Sequence, residues 1–186
     1  MRIIAGQYRG RVLRSPPSTA VRPTSDRLRE TLFNILAPRI EGARFLDLCA
    51  GSGAVGIEAL SRGASFATFV ERSRKLCGLV EANLDLCKVP EENSEVVMSD
   101  ALEFIRRRQA RGALAWDICF YDPPYETEYS PVLGVLGSTD STLLQNGGTL
   151  IAEHHHKNKL PDEAGELRRW RIVKQGESSL SFYERE

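Results

Sequence analysis

The stretch from Phe45 to Gly56 reads FLDLCAGSGAVG. An apolar run fit for a buried strand ends in an acid, turns through glycines, and passes into a helical pattern. The same succession recurs downstream. Short apolar runs near 44–49, 66–71, 95–98, 116–121 and 148–153 are separated by helical patterns near 54–62, 73–88, 100–109 and 131–144. Strands divided by helices require crossover connections, so the sheet is mostly parallel, covered on both faces and Rossmann-like, an α/β class. The tail breaks the rhythm: β-like runs at 170–174 and 179–184 flank a turn, which predicts a closing antiparallel hairpin and seven strands in all.

The N-terminal end is organised differently. Apolar pieces at 2–5 and 11–13 around Gly6 and Gly10 predict a small β-hairpin, followed by a proline-bearing connector from Ser15 to Pro23. Residues 1–23 therefore read as a basic arm, and 24–186 as the main domain. Thr24 or Ser25 can cap a helix with Leu28, Leu32, Ile35 and Leu36 on one face, ended by Pro38. Formal charge over the whole chain is zero, yet residues 1–44 carry nine arginines against three acids, a net of +6. Such a basic end on an acidic body suits an anionic partner.

Cys49, Cys77, Cys87 and Cys119 are widely spaced and form no C-x-x-C pair, so they read as reduced thiols. No apolar run approaches the length of a membrane span, and the N-terminus has too short an apolar core for a signal peptide. The expected compartment is the cytoplasm, with no membrane association.

In a doubly wound sheet, ligands bind beyond the carboxyl ends of the strands. Those ends hold Asp47 to Gly53, Glu71, Asp100, and Asp122-Pro123-Pro124-Tyr125. Gly51, Gly53 and Gly56 satisfy G-x-G-x-x-G, and Glu71 stands 20 residues beyond Gly51. That pattern admits NAD. Asp47, just before the loop, is awkward beside a pyrophosphate and suits a ligand with an amino group and a sulfonium centre, as in S-adenosylmethionine. On this reading Ala50, Gly51, Ser52, Gly53 and Gly56 form the cofactor loop. Asp47 faces the methionine part, Glu71 accepts the ribose hydroxyls, and Asp100 with Ala101 meets the adenine.

Asp122-Pro123-Pro124-Tyr125 is more telling. The prolines stiffen the backbone and remove two donors, leaving carbonyls and a carboxylate facing outward. An acceptor-rich nook of this kind holds both hydrogens of a planar exocyclic amine, with Tyr125 stacked on the attached ring. Accepting those hydrogens at Asp122 and the Pro123 carbonyl turns a delocalised lone pair toward a methyl donor. Orientation and electrostatics then carry the catalysis, and no metal is needed.

Asp47-Leu-Cys-Ala-Gly-Ser-Gly, Glu71, Ser99-Asp100-Ala101 and Asp122-Pro-Pro-Tyr together resemble the motifs of class I S-adenosylmethionine-dependent methyltransferases acting on exocyclic amines. The arm, Arg2-Ile-Ile-Ala-Gly-Gln-Tyr-Arg-Gly-Arg, with Arg22-Pro-Thr and Asp26-Arg-Leu-Arg-Glu-Thr-Leu-Phe-Asn, is similar to the RsmD-type family of 16S ribosomal RNA guanine-N2 methyltransferases. The resemblance spans nearly the whole chain. It implies a class I methyltransferase fold and methylation of one guanine N2 in small-subunit RNA, on a partly assembled subunit; no obligate protein partner is evident from the sequence. Arg2, Arg9, Arg11, Arg22, Arg27 and Arg29 would contact phosphates of the RNA.

His154-His155-His156 closes the fifth strand and has no counterpart in that resemblance; the three read as ordinary strand-end residues rather than metal ligands. Arg106-Arg107-Arg108 reads as a solvated helix face. Three other readings stay open: a methyltransferase for another exocyclic amine, in DNA at adenine N6 or cytosine N4 or in another RNA; an NAD-dependent oxidoreductase; and a non-catalytic RNA-binding assembly factor.

Overall fold

The computed structural model describes residues 1–16, 25–112, 115–124 and 126–186. Strands β1 (Arg44–Leu48), β2 (Phe66–Glu71), β3 (Ser94–Met98), β4 (Trp116–Tyr121), β5 (Leu144–His155), β6 (Glu163–Ala164), β7 (Leu167–Gln175) and β8 (Ser178–Arg185) form one eight-stranded sheet in the order β3-β2-β1-β4-β5-β8-β7-β6. The first five are parallel, and β8 enters antiparallel beside β5. The sequence pattern predicts seven strands. The eighth, β6, is a two-residue pairing with the start of β7, too short for any periodicity to reveal.

Helices α2 (Ala54–Ser61), α3 (Arg74–Cys87), α4 (Ala101–Ala110) and α5 (Ser130–Leu136) follow the strands, and α1 (Asp26–Leu36) precedes them. Strand alternation splits the apolar side chains between two cores. Phe45, Phe69, Phe120 and Ile151 pack with α1, α2 and α3, while Leu46, Val70, Cys119 and Leu150 pack with α4 and α5. Ser25 caps α1 by accepting the Leu28 N–H at 3.1 Å.

The helix expected over 131–144 stops at Leu136, and β5 starts at Leu144 rather than 148. Gly137 closes α5 against the backbone of Gly165; a Cβ at Gly137 would stand 1.9 Å from the Ala164 carbonyl oxygen. A close approach of two chain segments, invisible to local pattern, ends this helix.

Residues 1–16 make a single antiparallel bridge, Arg2 with Val12, in place of a ladder. What holds this segment is α2. The buried Glu58 accepts the N–H groups of Ile4 and Ala5 at 2.8 and 3.0 Å, and Ser61 Oγ accepts the Tyr8 N–H at 2.9 Å. Ile3, Tyr8 and Leu13 are buried in the α1–α2 core. Gly6 takes a φ of +82°, with space for its Cβ denied by the Ser61 carbonyl oxygen at 1.7 Å. Among the described residues no helix is long and apolar enough to cross a membrane.

Candidate active site

The strand order reverses between β1 and β4, so the loops leaving these neighbours diverge and open a crevice beyond their carboxyl ends. A cavity of about 700 Å³ lies there. It is lined by Asp47, Ala50, Gly51 and Ser52 from the first loop, by Glu71 from β2, and by Asp100 and Ala101 after β3. Asp122, Pro123 and Pro124 complete it after β4. Sequence positions 47, 71, 100 and 122 thus meet at one place because each ends a parallel strand.

The glycine loop is tightly wound. Cys49 and Gly51 take positive φ of 67° and 57°, and Gly53 at φ 78° starts α2. A left-handed cysteine is costly, and such strain is tolerated where surrounding structure over-determines it. Here the Ala50 N–H reaches the Val70 carbonyl at 3.0 Å, and the Gly51 N–H reaches Glu71 Oε2 at 3.0 Å. The other Glu71 oxygen accepts from Ser73 N–H at 2.9 Å. A Cβ on Gly51 would meet no atom within 4 Å, so the missing side chain leaves space on the cavity side.

Gly53 and Gly56, expected in the cofactor loop, do not line the cavity. Their missing Cβ atoms serve packing instead: a Cβ on Gly53 would stand 3.0 Å from Val80, and one on Gly56 would stand 2.3 Å from the Phe69 ring. Asp47 connects the two functions. It is 2% exposed, and its Oδ2 accepts the Gly56 N–H at 2.9 Å. Burial raises its carboxyl from 3.8 to about 7, with the Gly56 bond opposing and Glu71 adding to the rise.

Asp100 caps α4 by accepting from Glu103 N–H at 3.1 Å while also lining the cavity. The corner before it is fixed by Arg107, whose Nη2 donates to Ser99 Oγ at 2.7 Å. Arg107 and Arg108, on the helix face that the sequence pattern marks as solvated, thus have defined contacts, Arg108 pairing with Glu95 at 2.8 Å.

Asp122 follows β4, its N–H directed at the Leu48 carbonyl at 3.3 Å. Burial, then the carboxylates of Glu153 and Asp47, push its pKa well above the usual range. Glu153 is a residue that the sequence motifs do not single out. It lies within β5, 5% exposed, and lines the same cavity. A signal for it exists in the sequence: a fifth parallel strand with an acid near its end, obscured by the adjacent histidines. Asn83 likewise belongs to no motif; buried in α3, it donates to the Ser52 carbonyl at 2.9 Å and exchanges hydrogen bonds with the Arg14 backbone. It ties the loop to the arm, whose Met1 and Pro16 border the cavity.

Arg2, Arg9, Arg11 and Arg27 are exposed, as phosphate contacts require. Arg29, expected among the phosphate contacts, is instead wholly buried, its Nη2 donating to the Arg2 carbonyl and to Asp26, its Nε 3.7 Å from Glu58. On α1 it falls one position from Leu28, on the flank that the arm covers. Arg22 and Tyr125 lie outside the described residues. His154 is buried between Tyr129 and Ser181, its Nε2 2.9 Å from the Ser181 hydroxyl, which joins β5 to β8. Among the described residues no group of His, Cys, Asp and Glu is arranged to hold a metal ion.

A parallel sheet closed by an antiparallel strand beside β5, with a glycine loop after β1 and Asp-Pro-Pro after β4 around one cavity, defines the class I methyltransferase fold. Similar solved structures include the Escherichia coli protein yhhF, described as a putative methyltransferase, with TM-score 0.86, 38% identity and coverage of 100% of this chain and 98% of that one. A hypothetical protein of Thermus thermophilus superposes with TM-score 0.83 at 32% identity over 99% of both chains. Residues 1–184 match the family described as conserved hypothetical protein 95. Ribosomal RNA small subunit methyltransferase D of Escherichia coli K12 is 39% identical over 191 residues, covering all of this chain and 90% of the relative. The chain belongs to this RsmD-type family.

Proposed function

We propose that the protein transfers a methyl group from S-adenosylmethionine to the exocyclic N2 of a guanine in 16S ribosomal RNA, on a partly assembled small subunit in the cytoplasm. One observation carries the reading: the acceptor-rich Asp122-Pro123-Pro124 turn faces the same cavity as the glycine loop. The name of the Escherichia coli relative, a small-subunit ribosomal RNA methyltransferase, supports the substrate.

The residues present fit the cofactor. Gly51 leaves room for close approach, Glu71 and Asp100 offer carboxylate oxygens to hydroxyl and amino donors, and Asp47 is a buried acid suited to a cation. When bound, S-adenosylmethionine supplies an electrophilic methyl whose sulfur departs with the bonding pair as a thioether. Asp122 accepts one amine hydrogen and the Pro123 carbonyl the other, which directs the nitrogen lone pair at the incoming carbon. As the N–C bond forms, the raised proton affinity of Asp122 suits it to take the proton that N2 must lose, before release to water. Tyr125 stacks on the base, and the exposed arginines Arg2, Arg9, Arg11 and Arg27, with Arg22, hold phosphates.

Incubation with methyl-labelled S-adenosylmethionine and small-subunit particles lacking the modification tests the assignment. Label recovered as N2-methylguanosine supports it. Label in another nucleoside, or none together with tight NAD binding by calorimetry, overturns it.

A further inference from the structure

Asp122 and the Pro123 carbonyl account for an exocyclic amine but do not choose among bases that carry one. Adenine N6, cytosine N4 and guanine N2 are all planar NH2 groups. What differs is the ring nitrogen beside the amine. In adenine and cytosine that nitrogen bears a lone pair; in guanine, N1 bears a hydrogen. A site that selects guanine therefore needs a second acceptor immediately beside the one that holds the amine.

The sheet supplies it. Tyr121 of β4 is in register with Ala152 of β5 in a parallel pair, so the next residues, Asp122 and Glu153, stand side by side. They share a face with Phe120 and Ile151, because successive side chains alternate. Both line the cavity, and Glu153 is withdrawn from bulk solvent. Its backbone is fixed by the Tyr129 hydroxyl, which donates to the Glu153 carbonyl at 3.0 Å. On its far side β5 is bound to β8, Glu153 in register with Leu180. A long acidic side chain is thereby held on a rigid central strand, beside the amine-binding turn.

We propose that Glu153 is the specificity-determining residue for guanine, its carboxylate accepting the N1–H while Asp122 and the Pro123 carbonyl accept the N2 hydrogens. The assignment rests on the guanine-N2 reading above. Adenine or cytosine in the same pose would set a ring lone pair against a buried carboxylate. Repulsion of that kind rejects a competitor by leaving polar groups unpaired, a far stronger discrimination than shape alone provides.

The test uses small-subunit particles whose target guanine is replaced by 2-aminoadenine. That base keeps the amine at C2 but presents a lone pair at N1 and an amine at C6. Wild-type protein should methylate guanine in preference by a factor of about 100 or more in kcat/KM. Glu153→Gln can offer either a carbonyl or an NH2 group to N1, so the preference should shrink at least about tenfold, with S-adenosylmethionine affinity by calorimetry unchanged. Glu153→Ala, which offers neither, should lower guanine turnover and also narrow the ratio. An unchanged ratio in both variants, with guanine still methylated at N2 by the wild type, overturns the role of Glu153 alone. Failure of the wild type to methylate guanine N2 overturns the functional reading, and this inference with it.

Discussion

Glu58 offers the sharpest test of how the arm is built into the fold. It is fully buried on α2 and accepts from Ile4 N–H at 2.8 Å, Ala5 N–H at 3.0 Å and Arg62 Nε at 2.8 Å, with Arg29 Nε at 3.7 Å. Replacement by glutamine keeps the volume but removes the charge that compensates a buried guanidinium. It also turns an NH2 group toward at least one donor. Breaking a buried pair from one side costs about 3–5 kcal/mol. Unpaired backbone donors at the arm would add to this, at about 1–3 kcal/mol each, were they not free to reach water as the arm loosens. The expected total is about 4 kcal/mol, which for a chain of this size lowers Tm by roughly 8–16 °C. Urea unfolding and calorimetry of Glu58→Gln, Arg29→Met and the double variant measure it. The double variant should recover at least about 1.5 kcal/mol relative to the sum of the singles. A loss below about 1 kcal/mol in Glu58→Gln, or strict additivity, would refute the reasoning.

Gly51 of the loop and Gly56 of α2 should separate binding from stability. Gly51→Ala places its Cβ where no atom lies within 4 Å, though at a φ of +57°; it should cost about 1 kcal/mol in stability yet weaken S-adenosylmethionine binding by about tenfold in calorimetry. Gly56→Ala drives a Cβ to 2.3 Å from the Phe69 ring and should lose about 1–3 kcal/mol by overpacking, read in urea midpoints. For Asp47, the folded pKa of about 7 exceeds the ordinary 3.8. The native state therefore binds more protons than the unfolded state between those values, and the ligand-free protein should lose stability as pH rises through that window. Asp47→Asn, which still accepts from Gly56, should flatten the profile and raise Tm at alkaline pH while weakening cofactor binding; an unchanged profile by scanning fluorimetry contradicts this. Wild-type cofactor binding just below the folded pKa of about 7 should release protons, visible as a dependence of the calorimetric heat on buffer ionisation.

How much of this is legible in the sequence depends on the range of the interactions. The parallel strands, their order of appearance and the acids at their ends are local patterns, so Asp47, Glu71, Asp100 and Asp122 can be found there, and they do converge. Gly53 and Gly56 match a spacing, but spacing does not say on which side a missing Cβ is needed; Phe69 and Val80, from β2 and α3, decide that. Arg29 reads as a surface charge because a helix pattern cannot show what covers its flank. The covering segment is the arm, anchored by a glutamate that falls 29 residues later. Glu153 is hidden for the opposite reason. Its neighbours draw attention as potential metal ligands, whereas its place beside Asp122 comes from register with β4, which only the sheet order reveals.

The central claim is that Asp122 and its turn present a guanine amine to a methyl donor held over the glycine loop. Mass spectrometry of 16S ribosomal RNA from cells lacking the protein, complemented either with the wild type or with Asp122→Asn, measures it most directly. One N2-methylguanosine should vanish on deletion and return only with the wild type, the purified Asp122→Asn protein still binding S-adenosylmethionine. Full restoration of the methyl group by Asp122→Asn, or no N2-methylguanosine lost on deletion, would contradict the account.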